Sequence, residues 1–236
     1  MNQPIIDQIM VGKPQTFGQK EATRPMDREW ESGIVKLPVS GKVWVSKTKL
    51  EGDGQADLKN HGGPEKAIFA YPSSHYEYWK NKLQRPDFNF GAFGENLVVQ
   101  HLTEEDVCIG DTFSVGEVIV QVSQPRQPCW KPARRWKIKE LALLIQQDGY
   151  TGWYFRVLNE GYIEVGDKFV LQERPFPEWT IAKCNEIMHV KKDDLDLTAR
   201  LASCELLASS WRDSLNKRVQ GEGNSDISKR LYGPNE

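Results

Sequence analysis

The chain has 236 residues, 39% of them hydrophobic and 27% charged, with a formal net charge of −2. That length can bury a core without disulfide or metal staples, and the near-balance of charge excludes bulk attraction to nucleic acid or a membrane surface. Any positive field has to be local.

The opening MNQPIIDQIMVGKPQTF has no basic start before an apolar run. Nowhere do the roughly 18 apolar residues of a membrane span follow one another, so the expectation is a cytoplasmic protein. GIVKLPVSGKVWVSKTKL, residues 33 to 50, alternates apolar and polar positions around Gly41-Lys42 and reads as strand. KNHGGPEKAIFAY, residues 59 to 71, puts His61, Gly62, Gly63 and Lys66 in a loop, because the glycines and Pro64 disfavour helix and central strand. Ser74 with Glu77 predicts a capping box, followed by a short helix with Tyr76, Trp79 and Leu83 on one face until Pro86. FGAFGENLVVQ, residues 90 to 100, presents Glu95 and Asn96 as a strand begins.

DTFSVGEVIVQVSQP, residues 111 to 125, alternates around a turn at Gly116, and GYIEVGDKFVLQER, residues 161 to 174, continues the strand series. Gly110-Asp111 and Gly166-Asp167 read as equivalent corners, each entering a strand that begins with an aromatic. Between these strands, Ile138, Leu141, Leu144 and Ile145 form the apolar face of a helix ending at Gly149. Short strands separated by glycine turns predict a barrel or sandwich. After PFPEW the texture becomes helical, with a cap at Thr180 and then Leu197, Leu201, Cys204, Ala208, Trp211 and Leu215 at helical intervals to about Val219. The proline link at 175 to 177 divides the chain into a barrel domain, 1–177, and a helical domain, 178–236, with Ile227, Leu231 and Tyr232 docking a last turn.

The four cysteines, Cys108, Cys129, Cys184 and Cys204, show no C-x-x-C pair and no zinc or iron–sulfur spacing. Cys108, Cys184 and Cys204 sit in apolar patterns and read as core. Cys129 lies in SQPRQPCWKPARRW, among Arg126, Lys131, Arg134 and Arg135 with no acid nearby. Cations beside a thiol stabilise its thiolate, which is both a nucleophile and a metal ligand. The consecutive glycines after His61 expose backbone N–H groups that can cradle an anion, although a plain glycine turn with a surface histidine explains them equally well. No G-x-G-x-x-G or G-x-x-x-x-G-K-[ST] occurs, and His-Gly-Gly has no accompanying G-x-S-x-G elbow, so neither a familiar nucleotide cradle nor a serine hydrolase is indicated. A zinc site from Cys129, His61 and His75 is disfavoured by the cations nearest the sulfur. Trp130 and Trp136 are read as packing or as stacking surfaces, and Arg135, Lys137 and Lys139 as solvated.

LEGDGQADLKNHGGPEKAIFAYP, FGENL, CIGDTF and QVSQPRQPCWK, in that order and followed by a three-helix segment, resemble the MOSC family in its YiiM-type branch, over about residues 33 to 217. The resemblance implies an α+β, mainly β fold: a MOSC-type β-barrel with inserted helices and a small C-terminal three-helix domain. It also implies a molybdenum cofactor (Mo-molybdopterin) and reduction of N-hydroxylated bases such as 6-N-hydroxylaminopurine to the amine. On this basis Cys129 is the metal ligand, and Arg126, Lys131, Arg134, His61, Gly62, Gly63, Lys66, Glu95 and Asn96 contact the cofactor or order its loops. His61 is either a proton donor or a phosphate contact. Glu65 stands where relatives often carry Asp, which touches only fine loop geometry. Electrons are expected from a separate flavin or iron–sulfur protein. A cofactor carrier without turnover and a metal-free thiol enzyme of sulfur transfer remain as rival classes.

Overall fold

Alternation in the strand sequences resolves into two apolar clusters, one on each face of a long curled sheet. The computed structural model describes residues 3–222 and 227–235. Strands β1 (Ile5–Val11), β4 (Leu37–Val39), β6 (Ile68–Pro72), β7 (Leu97–Gln100), β8 (Thr112–Val115), β9 (Val118–Pro125), β10 (Trp153–Asn159) and β12 (Val170–Glu173) form one sheet in the order β12-β8-β9-β10-β6-β7-β1-β4. β6 and β7 run parallel, and the other pairs in this sheet are antiparallel. The sheet curls into a half-barrel that is bridged where Lys168, just before β12, pairs with Ile5. Two short pairs stand apart, β2 (Gln15–Phe17) with β3 (Trp30–Ser32) and β5 (Val43–Val45) with β11 (Gly161–Ile163).

Because successive strand residues face opposite sides, Ile68, Ala70, Leu97, Val99, Trp153 and Phe155 fill the inner cluster. Phe69, Tyr71, Val98 and Tyr154 fill the outer one. The outer cluster is covered by α2 (His75–Leu83), α3 (Trp130–Trp136) and α4 (Leu141–Asp148). The inner cluster continues into α5 (Ile181–His189), α6 (Leu195–Ala202) and α7 (Ser209–Val219) through Ile181, Cys184, Leu201, Trp211 and Leu215. A one-turn helix α1 (Leu58–His61) precedes β6, and α8 (Ile227–Leu231) follows the three-helix segment. Among the described residues no helix is long and apolar enough to cross a membrane.

Several local readings hold. Gly116 turns the β8–β9 hairpin at φ 55°, Gly149 ends α4 at φ 74°, and the Thr180 side chain caps α5 by accepting from Lys183 N at 3.0 Å. The two Gly-Asp corners are equivalent: Asp111 accepts from Cys108 N and Asp167 from Glu164 N, each at 2.8 Å. Ile227 and Leu231 fall within α8, and Leu231 is buried. Others need correction. Ser74 is itself helical in conformation and makes no cap bond, so α2 starts without a capping box. The apolar repeat from Leu197 to Val219 is two helices separated by residues 203 to 208. Most consequentially, the stretch after Cys129, where the prolines at 125, 128 and 132 read as stiffening a loop, is helix: Pro132 falls in the first turn of α3, where a missing backbone N–H leaves no helical bond unmade.

Candidate active site

On the outer face of the sheet a cleft opens above Phe69 and Tyr154. Three stretches of chain converge on it. The first is the His61 turn. Asp57 caps α1 by accepting from Asn60 N at 3.1 Å, and its other carboxylate oxygen stands 3.4 Å from His61 Nδ1, one helical turn on. Gly62 and Gly63 then swing the chain away, Gly63 at φ 92°, into a 3₁₀ turn that returns Lys66 to the cleft, where its Nζ donates to Asn60 O at 2.9 Å. His61 therefore sits on a helical turn rather than in an open loop. Gly62 and Gly63 shape this turn but do not line the cleft.

The second stretch carries Cys129, at the position just before α3. Its Sγ lies 3.4 Å from His61 Nε2, bringing together two residues 68 positions apart. The side chain is half-buried, whereas Cys108, Cys184 and Cys204 are buried. Burial alone raises a thiol's pKa. Here the His61 charge and hydrogen bond, with the Arg126 guanidinium and the Lys131 backbone N–H, outweigh it and bring Cys129 from 9.0 down to about 6. Burial pushes Cys108 up to about 11, and the thiols of Cys184 and Cys204 also upward. Arg126, 5% exposed, lies over the Phe69 ring at 5.2 Å, and its Nη1 is buried with no hydrogen-bond partner among the described residues. Beside it, burial drives the Tyr154 hydroxyl up to about 12 despite the nearby guanidinium.

The third stretch is the floor. Asp53 accepts from Lys36 Nζ, from Gly12 N at 3.0 Å and from Asn96 Nδ2 at 2.9 Å, while Asn96 Oδ1 accepts from Phe69 N at 3.1 Å. This buried network fixes the cleft's base to β6. Burial lowers the Lys36 pKa even though Asp53 opposes it. In all, Lys36, Lys66, Arg126 and Lys131 line the cleft with His61, against the carboxylates of Asp53 and Asp57. The lining is net positive, as an anionic ligand requires.

Glu95 and Arg134 also stand away from the cleft, Glu95 in the loop-ordering role that is one of the two expected of it. Glu95 is fully buried, accepting from the Tyr76 hydroxyl, from Gly91 N and from Phe93 N at 3.0 Å, so it orders the 90–96 loop and does not reach the cleft. Arg134 is buried behind α3, donating to Asn235 Oδ1 at 2.7 Å, Pro25 O at 2.8 Å and Pro234 O at 2.6 Å. Arg135, expected to be solvated, binds Ile34 O at 2.9 Å and Gly91 O at 2.5 Å. Lys137 pairs with Asp27 at 2.8 Å. Trp136 donates to Ala92 O at 2.8 Å, and Trp130 packs on Trp30 with ring centres 5.6 Å apart. Sequence reasoning passed over Asp57, Lys36, Asp53 and Tyr154; of these only Asp57 had a local signal, a capping residue four positions before a histidine.

Residues 57–170 match the MOSC domain, and residues 179–222 match the YiiM-like 3-alpha helix domain. YflK of Bacillus subtilis (strain 168) is 46% identical over 89% of this chain and 92% of its own. The crystal structure of YiiM from Geobacillus stearothermophilus superposes with a TM-score of 0.76 at 41% identity, covering 92% of this chain and 99% of that one. The chain belongs to the MOSC family, in its YiiM-like branch. A protein of Gibberella moniliformis (strain M3125 / FGSC 7600) named "Reductase" is 35% identical over 86% of this chain, which spans 36% of that protein. Within the MOSC match lie Asp57, His61, Arg126 and Cys129; the floor residues Lys36 and Asp53 precede it.

Proposed function

We propose that this MOSC protein is a cytoplasmic, molybdenum-cofactor-dependent reductase that converts N-hydroxylated purines, 6-N-hydroxylaminopurine among them, to the amine. The observation that carries the reading is the juxtaposition, in one positively lined cleft, of a half-exposed thiol paired with His61 and a buried guanidinium with an unsatisfied nitrogen. A thiolate suits a soft-ligand metal, and Arg126, Lys66 and Lys131 suit the phosphate and dithiolene charge of a pterin cofactor. Membership of a family whose domains generally bind that cofactor, and whose relatives include a protein named reductase, supports the same reading. Bound there, the group would be held through Cys129 and would supply two-electron redox chemistry.

The chain's own residues do the rest. Overall, R–NHOH takes up two electrons and two protons and leaves as R–NH₂ and water. On this reading His61 delivers a proton from Nε2, with the Asp57 carboxylate 3.4 Å from Nδ1. Phe69, Phe93 and Tyr154 line the cleft with aromatic surface that a purine could pack against. Electrons come from a separate flavin or iron–sulfur protein.

The Cys129–His61–Asp57 alignment also favours a second reading, a thiol nucleophile acting without metal, because a base oriented by a carboxylate activates such a nucleophile. Elemental analysis and hydroxylaminopurine reduction with dithionite and a mediating dye, for the wild type beside Cys129→Ser, separate the two. Molybdenum bound at one equivalent with turnover, both lost in Cys129→Ser, is the expected result. Turnover by metal-free wild type would establish the second reading, and bound metal without turnover would make the protein a carrier.

A further inference from the structure

The segment after the three-helix domain, residues 227–235, lies outside both matched family regions, yet it closes over both flanks of Cys129. Arg230 donates through Nη1 to Pro128 O and through Nη2 to Gln146 Oε1 at 2.5 Å. Asn235 donates to Trp130 O at 3.1 Å and accepts from Arg134 at 2.7 Å. Gly233, at φ 50°, sits so close to Trp130 that a Cβ would fall 2.3 Å from the indole. One segment thus grips the residues immediately before and after the reactive thiol.

The grip on Pro128 has a geometric consequence. The peptide joining Pro128 to Cys129 is planar, so anchoring its carbonyl oxygen sets the plane that contains Cys129 N and Cα. That plane orients the Cα–Cβ bond, and with it the sulfur's approach to His61. Arg230 also brings a charge. Burial drives its pKa down to about 10, with the Cys129 thiolate opposing that fall and Arg126 adding to it, so the guanidinium remains a cation at neutral pH and shares one field with both.

We propose that Arg230 is a positioning residue of the active site: it holds the Pro128–Cys129 peptide and adds a cation behind the thiol that Arg126 and His61 face from the cleft. This rests on Cys129 as the reacting sulfur, but its test needs neither cofactor nor substrate and therefore stands or fails apart from the reductase reading.

The test compares the rates at which iodoacetate and iodoacetamide alkylate Cys129, followed by peptide mass spectrometry, in wild type, Arg230→Ala, Arg230→Gln and Arg230→Lys. Both reagents attack the thiolate, so their ratio cancels the thiolate fraction and reports the local charge. Loss of one nearby cation should lower the iodoacetate-to-iodoacetamide ratio about threefold in the Ala and Gln variants, while Lys keeps it within about twofold of wild type. Gln retains an N–H donor for Pro128 O and guards against a misfolded Ala variant; thermal unfolding confirms the fold of each. An unchanged ratio in Arg230→Gln, or an equal fall in Arg230→Lys, overturns the proposal.

Discussion

Replacing His61 with Gln removes the largest favourable influence on the Cys129 thiolate while leaving Arg126 and the Lys131 N–H in place. Burial then dominates, and the thiol returns toward its ordinary 9.0 from about 6. The reactivity change follows from two opposed effects. At pH 7 a thiol of pKa 6 is about nine-tenths ionised and one of pKa 9 about one per cent, a loss of about 90-fold in thiolate. The more basic thiolate is the better nucleophile, and a Brønsted slope of about 0.4–0.5 returns about 20-fold, leaving a net fall of about fourfold. At pH 6 the net fall is about 20-fold, and at pH 10 the variant reacts faster by about the same factor. The two pH–rate curves should therefore cross between pH 7 and 10. Iodoacetamide alkylation of Cys129 from pH 5 to 10 measures this directly, since the other three thiols are buried with raised pKa values. A His61→Gln profile with its midpoint still near pH 6 would refute the imidazolium–thiolate pair and assign the thiolate to Arg126 and the backbone.

Arg126→Gln removes the cation whose Nη1 has no partner among the described residues; inorganic phosphate, titrated calorimetrically, should bind about tenfold more weakly, and equal binding would place the anion elsewhere. Glu65 accepts from Ser209 N and Oγ at the start of α7, tying the His61 turn to the three-helix segment. Glu65→Ala should lower stability by about 1 kcal/mol and Tm by about 2–4 °C, and an unshifted thermal melt would deny that tie. His189 is pushed down to about 3 by burial and by the Arg230, Lys192 and Arg218 charges. Below about pH 6.5 only the unfolded chain protonates this ring, so stability falls with pH: urea unfolding at pH 5 against pH 7 should show about 2 kcal/mol of loss from this group, absent in His189→Asn.

What the sequence reveals divides by the range of the interaction. Gly116, Gly149 and Gly166 are legible because a left-handed backbone needs only the glycine itself. The Thr180 cap depends on a neighbour three residues away. Cys129 among cations is legible as a poised thiol for the same local reason. The α3 helix was hidden by Pro132, a helix breaker everywhere except the first turn, where it stands. Arg134 reads as a site residue from its charge near Cys129, and Glu95 from the resemblance of its FGEN stretch. Their partners, Asn235 across 101 positions and a tyrosine 19 positions upstream, exist only once the chain has folded.

The distinction between satisfied and unsatisfied charge also applies within the site. Lys36 answers to Asp53, Arg134 to three oxygens and Arg156 to Glu65, Gln121 and a backbone carbonyl. Each of these cations, two of them buried and Arg156 half-buried, is compensated within the chain, so each can be explained by folding alone. Arg126 differs: it is almost fully buried and its Nη1 has no hydrogen-bond partner among the described residues, which is destabilising by several kcal/mol unless negative charge reaches it. The Cys129 thiolate supplies one such charge from the chain, and its own stabilisation depends in turn on Arg126 and His61. The cleft beyond them still carries Lys66 and Lys131. A ligand that completes this arrangement must therefore be an anion large enough to meet cations on both walls, and a bare nucleobase, neutral at pH 7, would leave Arg126 as exposed to its deficit as before.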